Sequence, residues 1–334
     1  MSIDALKKRI KEGNLTGVYA FFGEEEYLKE YYYRQLMDKV VDGPMKDFNL
    51  TVFDGKGMDL EQVRDALELL PVMAQQKMIV IKDSGVLKAP KAEEKEFWDR
   101  YLDDLPPYVC LVFYEKEVDK RSKIFGKIKK IGLPVEFGYQ KDAYVASWVG
   151  QKLASHNKRM DKKDIYYLIE HCDTGMMSLK NEIEKLIYYC GSREVISRQD
   201  IDAVCVKSIE SRVFNMIDAF TDGNTGLVFE YLDDMKKLKE PVVKIIALLS
   251  RHFSGILKVK VLLEEGAHEN EIASKLKIAS FVVKKYIKYA QRFSVNYLRS
   301  VLEGCLEIDN GIKSGKMNDW VALQTFIAKY SKKD

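Results

Sequence analysis

Apolar residues in the first 140 positions come in short runs that are separated by longer charged stretches. The runs are Gly17–Phe22, Leu50–Phe53, Met78–Lys82, Val109–Tyr114 and Val135–Phe137. Several runs are apolar at every position, which is typical of parallel strands covered on both faces. The segments between them have apolar residues at helical spacing. They are Glu25–Val40, Leu60–Leu70, Lys91–Leu102 and Arg121–Lys130. This alternation predicts an α/β domain with a parallel sheet.

Beyond residue 140 the strand-like runs disappear, and apolar residues recur at helical spacing. A short group of such patterns covers residues 141–210, and longer ones with few prolines cover residues 211–334. The predicted fold class is therefore α/β plus all-α. It comprises three domains: a parallel-sheet domain over 1–140, a small helical domain over 141–210 and a larger helical domain over 211–334.

The distribution of charge favours the C-terminal domain as the part that meets a polyanion. The chain of 334 residues has a formal net charge of +3. Lys plus Arg and Asp plus Glu number 23 and 25 in residues 1–140, 11 and 11 in 141–210, and 20 and 15 in 211–334. The net charges are therefore −2, 0 and +5. A positive surface attracts phosphate-rich partners.

Cysteine usage and the N-terminal segment indicate a cytoplasmic protein. The five cysteines include no CxxC pair, which fits neither a zinc ribbon nor a secreted disulfide framework. The first fifteen residues are amphipathic and charged, without the apolar core of a signal peptide. No stretch is long and apolar enough for a transmembrane helix. We therefore expect no membrane association.

The turn after the first predicted strand is where an α/β nucleotide-binding domain places its phosphate loop, because free N–H groups at a helix N-terminus attract anions. Here the turn reads Gly23, Glu24, Glu25, Glu26. It has one glycine, no lysine and no Ser or Thr to hold magnesium, and each carboxylate repels phosphate. The carboxylates also complement the macrodipole of the following helix. The sequence argues against nucleotide hydrolysis at this turn.

Residue types that ligate metals or act as nucleophiles form no constellation elsewhere. The four histidines show no ligand spacing, and other glycine-lysine strings lack the spacing or context of a phosphate loop. We expect no catalytic residue, no metal and no cofactor.

An apolar turn follows the second helix of the predicted α/β domain. Pro71 ends that helix, and Val72 and Met73 precede the buried strand. Two interpretations stand about even. The apolar side chains form an exposed tip that enters a pocket on another protein, or they tuck under the sheet as part of the core.

Two basic segments are candidates for contact with DNA. Residues 120–130 contain six cations and no acid, with Lys120, Arg121 and Lys123 at their start. Residues 272–302 contain no acid and interleave aromatics with cations that include Lys284, Lys285 and Lys288. The alternative for the cations of both segments is a solvated helix face. The aromatics of the second segment recur at helical spacing, which favours a place in the core of a helix pair. Glu271–Ile287 is also similar to a helix-turn-helix, although Lys277 lies where that turn usually has glycine.

Four segments in this order and spacing resemble the delta subunit of the bacterial DNA polymerase III clamp loader. They are Val18–Glu25, Leu70–Met73 ahead of Lys77–Ile81, Val118–Lys123 and Asp309–Gly315. The chain has neither the zinc-binding cysteine cluster nor the Ser-Arg-Cys motif of the ATPase siblings, which distinguishes it from tau/gamma-like and delta-prime-like subunits.

The resemblance implies an AAA+-like α/β domain, a helical lid and a helical collar that joins the other loader subunits. It implies a subunit of the nucleotidyltransferase holoenzyme that does not hydrolyse ATP. Its partners would be the beta sliding clamp, the tau/gamma and delta-prime subunits, and primed DNA. The apolar pair that enters the clamp would be Val72 and Met73, supported by Leu69, Leu70 and Pro71. Many members have Phe at the second position, and methionine is soft enough to fill the same pocket.

The leading hypothesis is therefore a replication subunit, located at the replisome in the cytoplasm, that binds and opens the clamp without hydrolysing ATP. The alternative is a DNA-binding regulator that uses Glu271–Ile287 as a helix-turn-helix. An ATPase is the weakest of the three hypotheses.

Overall fold

The structure of the chain is a computed structural model and describes residues 3–13, 15–55, 57–171, 175–205 and 209–331. The chain divides into two compact units, residues 1–139 and 140–334. The strands of the first unit are β1 (Gly17–Phe22), β2 (Leu50–Asp54), β3 (Lys77–Lys82), β4 (Val109–Tyr114) and β5 (Leu133–Glu136). Its helices are α1 (Ile3–Glu12), α2 (Glu26–Val40), α3 (Lys46–Asn49), α4 (Leu60–Glu68), α5 (Ala92–Asp103) and α6 (Lys123–Ile131).

The five strands form one parallel sheet in the order β2-β3-β4-β1-β5. The central strands β3 and β4 are apolar and buried along almost their whole length, as strands covered on both faces must be. Strand β2 is an edge strand, and five of the six residues of β1 are buried. The carboxyl ends of β1, β3, β4 and β5 meet at one edge of the sheet, where α/β domains bind ligands.

Alternate residues of the strands pack against different helices. On one face, Ala20, Ile79 and Phe113 join a buried cluster with Val63 of α4, Trp98 of α5 and further residues of α6. On the other face, the ring of Phe21 contacts the ring of Phe137, which stacks on Tyr32 of α2 at 6.0 Å between centroids. The period of two along each strand produces both layers.

The second unit is built almost entirely of helices. They are α7 (Asp142–Ala154), α8 (Lys162–His171), α9 (Met176–Cys190), α10 (Arg198–Val204), α11 (Ile209–Thr221), α12 (Thr225–Lys237), α13 (Val242–Glu264), α14 (Glu269–Leu276), α15 (Ser280–Arg292), α16 (Val295–Lys313) and α17 (Asp319–Tyr330). The helix α13 packs against α15 and α16. Two short strands, β6 (Arg159–Met160) and β7 (Val195–Ile196), pair in parallel.

Several details of the sequence-based prediction are wrong. Helix α6 begins at Lys123 and not at Arg121, because Ser122 caps its N-terminus. The strands β6 and β7 lie in a region predicted to be purely helical, because two-residue strands are too short to show a period. Helix α4 ends at Glu68 and not at Leu70, since the residue before Pro71 avoids helical backbone. Strand β5 begins at Leu133, and it accommodates Pro134 because it lies at the edge of the sheet. The division of residues 141–334 into two domains stays a prediction.

Candidate functional site

The residues Leu69–Met73, which we call the apolar tip, form an exposed turn between α4 and β3. Leu70 is 72% exposed and Met73 is 87% exposed. Leu69 and Val72 are also exposed, and Pro71 is half-buried. The interpretation in which Val72 and Met73 tuck under the sheet is therefore wrong. Large apolar side chains grouped on a protein surface are typical of a site that binds another protein.

Two polar side chains hold the backbone of the apolar tip in place. The carboxamide of Asn49 is buried, accepts from the Val72 N–H at 2.8 Å and donates to the Val72 carbonyl at 2.9 Å. The ammonium group of Lys77 donates to the carbonyls of Ala66 and Leu69 at the end of α4. Burial lowers the pKa of Lys77. Because each buried polar group has its partners, the turn is fixed while its apolar side chains stay in solvent.

The backbone of Met73 has a φ of 50°, in the left-handed region that side chains other than Gly, Asn and Asp seldom adopt. Holding a residue there costs on the order of 1 kcal/mol or more, and such strain concentrates at functional sites. Met73 combines this conformation with a side chain that is 87% exposed. It is therefore the residue of the tip that we consider the strongest candidate for a functional contact.

The turn Gly23–Glu26, predicted to be a degenerate phosphate loop and called so below, lies at the carboxyl edge of the sheet, between β1 and the start of α2. Gly23 is required there, because a Cβ at this position would lie 2.3 Å from the Phe137 carbonyl oxygen. The N–H of Gly23 donates to the Lys116 carbonyl, that of Glu25 to the Phe137 carbonyl and that of Glu26 to the Glu24 carbonyl. Three of the four loop amides are therefore already bonded, whereas a phosphate loop keeps its amides for the ligand.

A buried lysine of α2 contacts the loop. The side chain of Lys29, in the first half of α2, is 1% exposed. Its Nζ lies 3.3 Å from the Gly23 carbonyl, 3.2 Å from the Glu115 carbonyl and 2.7 Å from the Glu26 carboxylate. It also lies 4.7 Å from the centre of the Tyr114 ring. The loop thus presents carbonyl oxygens and a carboxylate to an internal cation.

The groups around Lys29 are set in a buried polar network. The Glu115 carboxylate accepts from the Ser84 hydroxyl at 2.6 Å and from the Gly85 N–H at 3.0 Å. Burial raises the pKa of Glu115, and these two hydrogen bonds oppose the shift. Burial, followed by the charge of Glu26, raises the pKa of Tyr114 far above its ordinary value. Every charged group in this network has a partner from the protein itself.

The candidate DNA-contacting residues of the first unit pair with carboxylates. Lys120 lies 2.6 Å from Glu136, Arg121 lies 3.3 Å from Asp119, and Lys123 lies 2.8 Å from Asp99. Arg121 is 93% exposed. Ion pairs at this degree of exposure contribute little to stability and exchange readily with other anions. Contact of these three residues with DNA stays a prediction.

The candidate residues of the second unit show the same arrangement on α15. Lys284 lies 3.8 Å from Asp142, while Lys285 and Lys288 lie 4.0 and 3.2 Å from Asp218. The helices α14 and α15 are joined by three residues, and Lys277 has a φ of 53°, the conformation for which glycine is usual. A helix pair is therefore present at Glu271–Ile287, but carboxylates neutralise part of its positive face.

Neither a metal centre nor a membrane span appears in the part of the chain that the structure describes. Those residues include no group of three or more His, Cys, Asp or Glu side chains placed to hold a metal ion. None of the helices they form is both long and apolar enough to cross a bilayer.

Two models of one protein family match the chain, one within each unit. The model "DNA polymerase III, delta subunit" matches residues 19–137, and the model "DNA polymerase III delta subunit, C-terminal domain" matches residues 210–330. The chain belongs to the DNA polymerase III delta-subunit family. The predicted family is confirmed, and so is the predicted fold class of α/β plus all-α.

Relatives in this delta-subunit family match along nearly the whole chain. DNA polymerase III subunit delta of Bacillus subtilis (strain 168) is 28% identical over 335 residues, covering 98% of this chain and 96% of that protein. The probable DNA polymerase III subunit delta of Aquifex aeolicus (strain VF5) is 22% identical and covers 87% and 85%. The solved DNA clamp loader delta protein of Bacillus subtilis has a TM-score of 0.70 at 27% identity, covering 99% of both chains.

The sequence analysis did not identify three residues of the candidate sites. Asn49 and Lys77 hold the apolar tip, and Lys29 contacts the loop after β1. Each is a polar side chain that the fold buries, and burial of a single polar residue leaves no periodic signal in a sequence. A partial signal exists for Lys29, because it lies six residues after Gly23, the spacing of the lysine in a phosphate loop.

Proposed function

We propose that this clamp loader subunit binds the beta sliding clamp through the apolar tip and opens it for loading onto primed DNA. Val72 and Met73 enter a pocket on the clamp, and Leu69, Leu70 and Pro71 support them. The observation that carries the proposal is the exposed Met73 side chain, 87% accessible on a strained backbone. Nothing in folding alone favours that combination.

A fixed backbone at the apolar tip is what a subunit that opens the clamp by force requires. The Asn49 and Lys77 hydrogen bonds tie the tip to α3, to the end of α4 and to the first residue of β3. The tip therefore moves with the sheet, and a rotation of the α/β domain is transmitted to the bound clamp. Preorganisation also lowers the entropy lost on binding.

We further propose that the subunit does not hydrolyse ATP. Support comes from the loop amides that are already bonded and from Lys29, whose ammonium group already donates to the Gly23 and Glu115 carbonyls. The tau/gamma and delta-prime subunits would then supply the ATP-driven step. The four cysteines among the described residues are buried and free, which is compatible with work in the reducing cytoplasm.

The alternative, a DNA-binding regulator that uses Glu271–Ile287, has less support. Its lysines Lys284, Lys285 and Lys288 lie within 4.0 Å of Asp142 or Asp218, which weakens the positive field that steers DNA. Contact between primed DNA and these lysines, or Lys120, Arg121 and Lys123, stays a proposal within the assembled loader.

The proposal is tested by titrating the purified chain into the purified sliding clamp of the same organism, with and without Mg-ATP. We expect the same dissociation constant in both conditions, because three of the four loop amides are already bonded within the protein and are not free to bind phosphate. We also expect no heat of ATP binding to the chain alone in calorimetry. An affinity for the clamp that rises tenfold or more with ATP, or stoichiometric ATP binding, would contradict the proposal.

A further inference from the structure

In the short helix α3 a polar residue is buried while its apolar neighbour is exposed, the reverse of what stabilises a fold. Its last residue, Asn49, is 3% exposed, whereas its neighbour Phe48 is 69% exposed. Burying a phenylalanine side chain stabilises a protein by about 1.5–3 kcal/mol, while burying an amide is unfavourable unless every partner is supplied. A single exposed apolar residue is ordinary, but the inversion of two neighbours is not.

Asn49 is buried because its side chain holds the backbone of the apolar tip. Its carboxamide bonds the Val72 backbone in both directions, and it also donates to the Met45 carbonyl at 3.0 Å. Covalent dimensions then place the Cα atoms of Asn49 and Val72 within about 9 Å of each other, and Phe48 is one residue further. The Cα of Phe48 therefore lies within about 13 Å of that of Val72, in the neighbourhood of the apolar tip, although 24 residues separate the two along the chain.

The location of α3 leaves Phe48 accessible to a large partner. The helix leads directly into β2, which is the edge strand of the sheet. A protein–protein interface of ordinary size covers about 800 Å² on each partner, which is enough to include both Phe48 and the apolar tip.

We propose that Phe48 is a second contact with the sliding clamp, next to the apolar tip; this inference rests on the proposed function. The partner surface is apolar, because it must bury an aromatic ring beside the aliphatic side chains of the tip. A single contact between the apolar tip and one pocket would still allow the clamp to rotate about that contact. A second contact fixes the orientation, so that motion of the α/β domain produces opening torque. Aromatic residues are also enriched among those that dominate binding energy.

The test measures the affinity of the full chain for the purified clamp after Phe48→Ser. We expect a loss of about tenfold, in the range usual for an aromatic interface residue, and recovery of most of the affinity in Phe48→Leu. The control is Tyr188→Ser, which removes an aromatic ring that is 84% exposed in the second unit and should leave affinity unchanged. Thermal unfolding of all three variants should match that of the unsubstituted chain.

A double variant separates direct contact from an effect through Asn49. If Phe48 touches the clamp, the factors lost in Phe48→Ser and Met73→Ser multiply, as expected for two separate contacts. If Phe48 only supports the tip, the double variant binds no worse than Met73→Ser, and the inference is overturned. Affinity within twofold of the unsubstituted chain in Phe48→Ser also overturns it while leaving the proposed function intact. Absence of clamp binding by the unsubstituted chain overturns both.

Discussion

Substitution of Val72 and Met73 together by serine is expected to reduce affinity for the sliding clamp on the order of 100-fold or more, since residues central to an interface each contribute about 2 kcal/mol or more. Met73 is 87% exposed and loses few protein contacts when it is shortened, whereas Val72 is 43% exposed and loses part of its packing. The free energy of unfolding should therefore fall by about 1 kcal/mol at most, less than for a fully buried side chain. Binding is measured by surface plasmon resonance and stability by urea unfolding.

The matched control replaces two aliphatic residues of the second unit that are similarly exposed. Leu306 is 63% exposed and Val321 is 60% exposed. Leu306→Ser with Val321→Ser should leave clamp affinity unchanged. Equal affinity of the Val72/Met73 variant and the unsubstituted chain would show that the apolar tip is not the clamp-binding site.

The substitution Lys29→Ala is expected to lower the free energy of unfolding by about 3 kcal/mol. The change leaves the buried carbonyls of Gly23 and Glu115 without this donor and opens a cavity where the lysine stem lay. Each unsatisfied buried carbonyl costs about 1–3 kcal/mol, and the cavity adds to that cost. The loss is partly offset because an ammonium group no longer has to be buried. Urea unfolding of the full chain measures the difference.

Lys130→Ala is the matched control, since Lys130 is an exposed lysine in the same unit. Its effect should stay within about 0.5 kcal/mol, as is usual for surface substitutions. If Lys29→Ala is as stable as Lys130→Ala, the buried lysine does not hold the degenerate loop closed, and another reason is needed for its position.

The sheet was predictable because its signal is local. The runs Gly17–Phe22 and Val109–Tyr114 are apolar throughout, and their bounds match the strands of the structure. The strand order was not predictable from these runs alone, because residues far apart in the chain determine which strands pair. The strands β6 and β7 were not predicted, because two residues are too few to show a hydrophobic period.

The candidate site was predictable only in part. Pro71 and the apolar residues beside it identified the turn, but two interpretations remained, because exposure depends on what the fold places around the turn. Asn49, which decides the conformation at Val72, lies 23 residues earlier in the chain. Lys29 likewise meets Glu115 across 86 residues. Contacts over such distances arise from the parallel topology, and the only trace of them in local sequence is the six-residue spacing from Gly23 to Lys29.

The most direct test of the central claim uses clamps loaded on nicked circular DNA, to which the purified chain is added without nucleotide. A closed clamp leaves a circle only if one of its interfaces opens. We predict release at a rate that increases with the concentration of the chain and is lost in the Val72→Ser, Met73→Ser variant. Clamps that stay on the circle while the chain is bound to them would contradict the account.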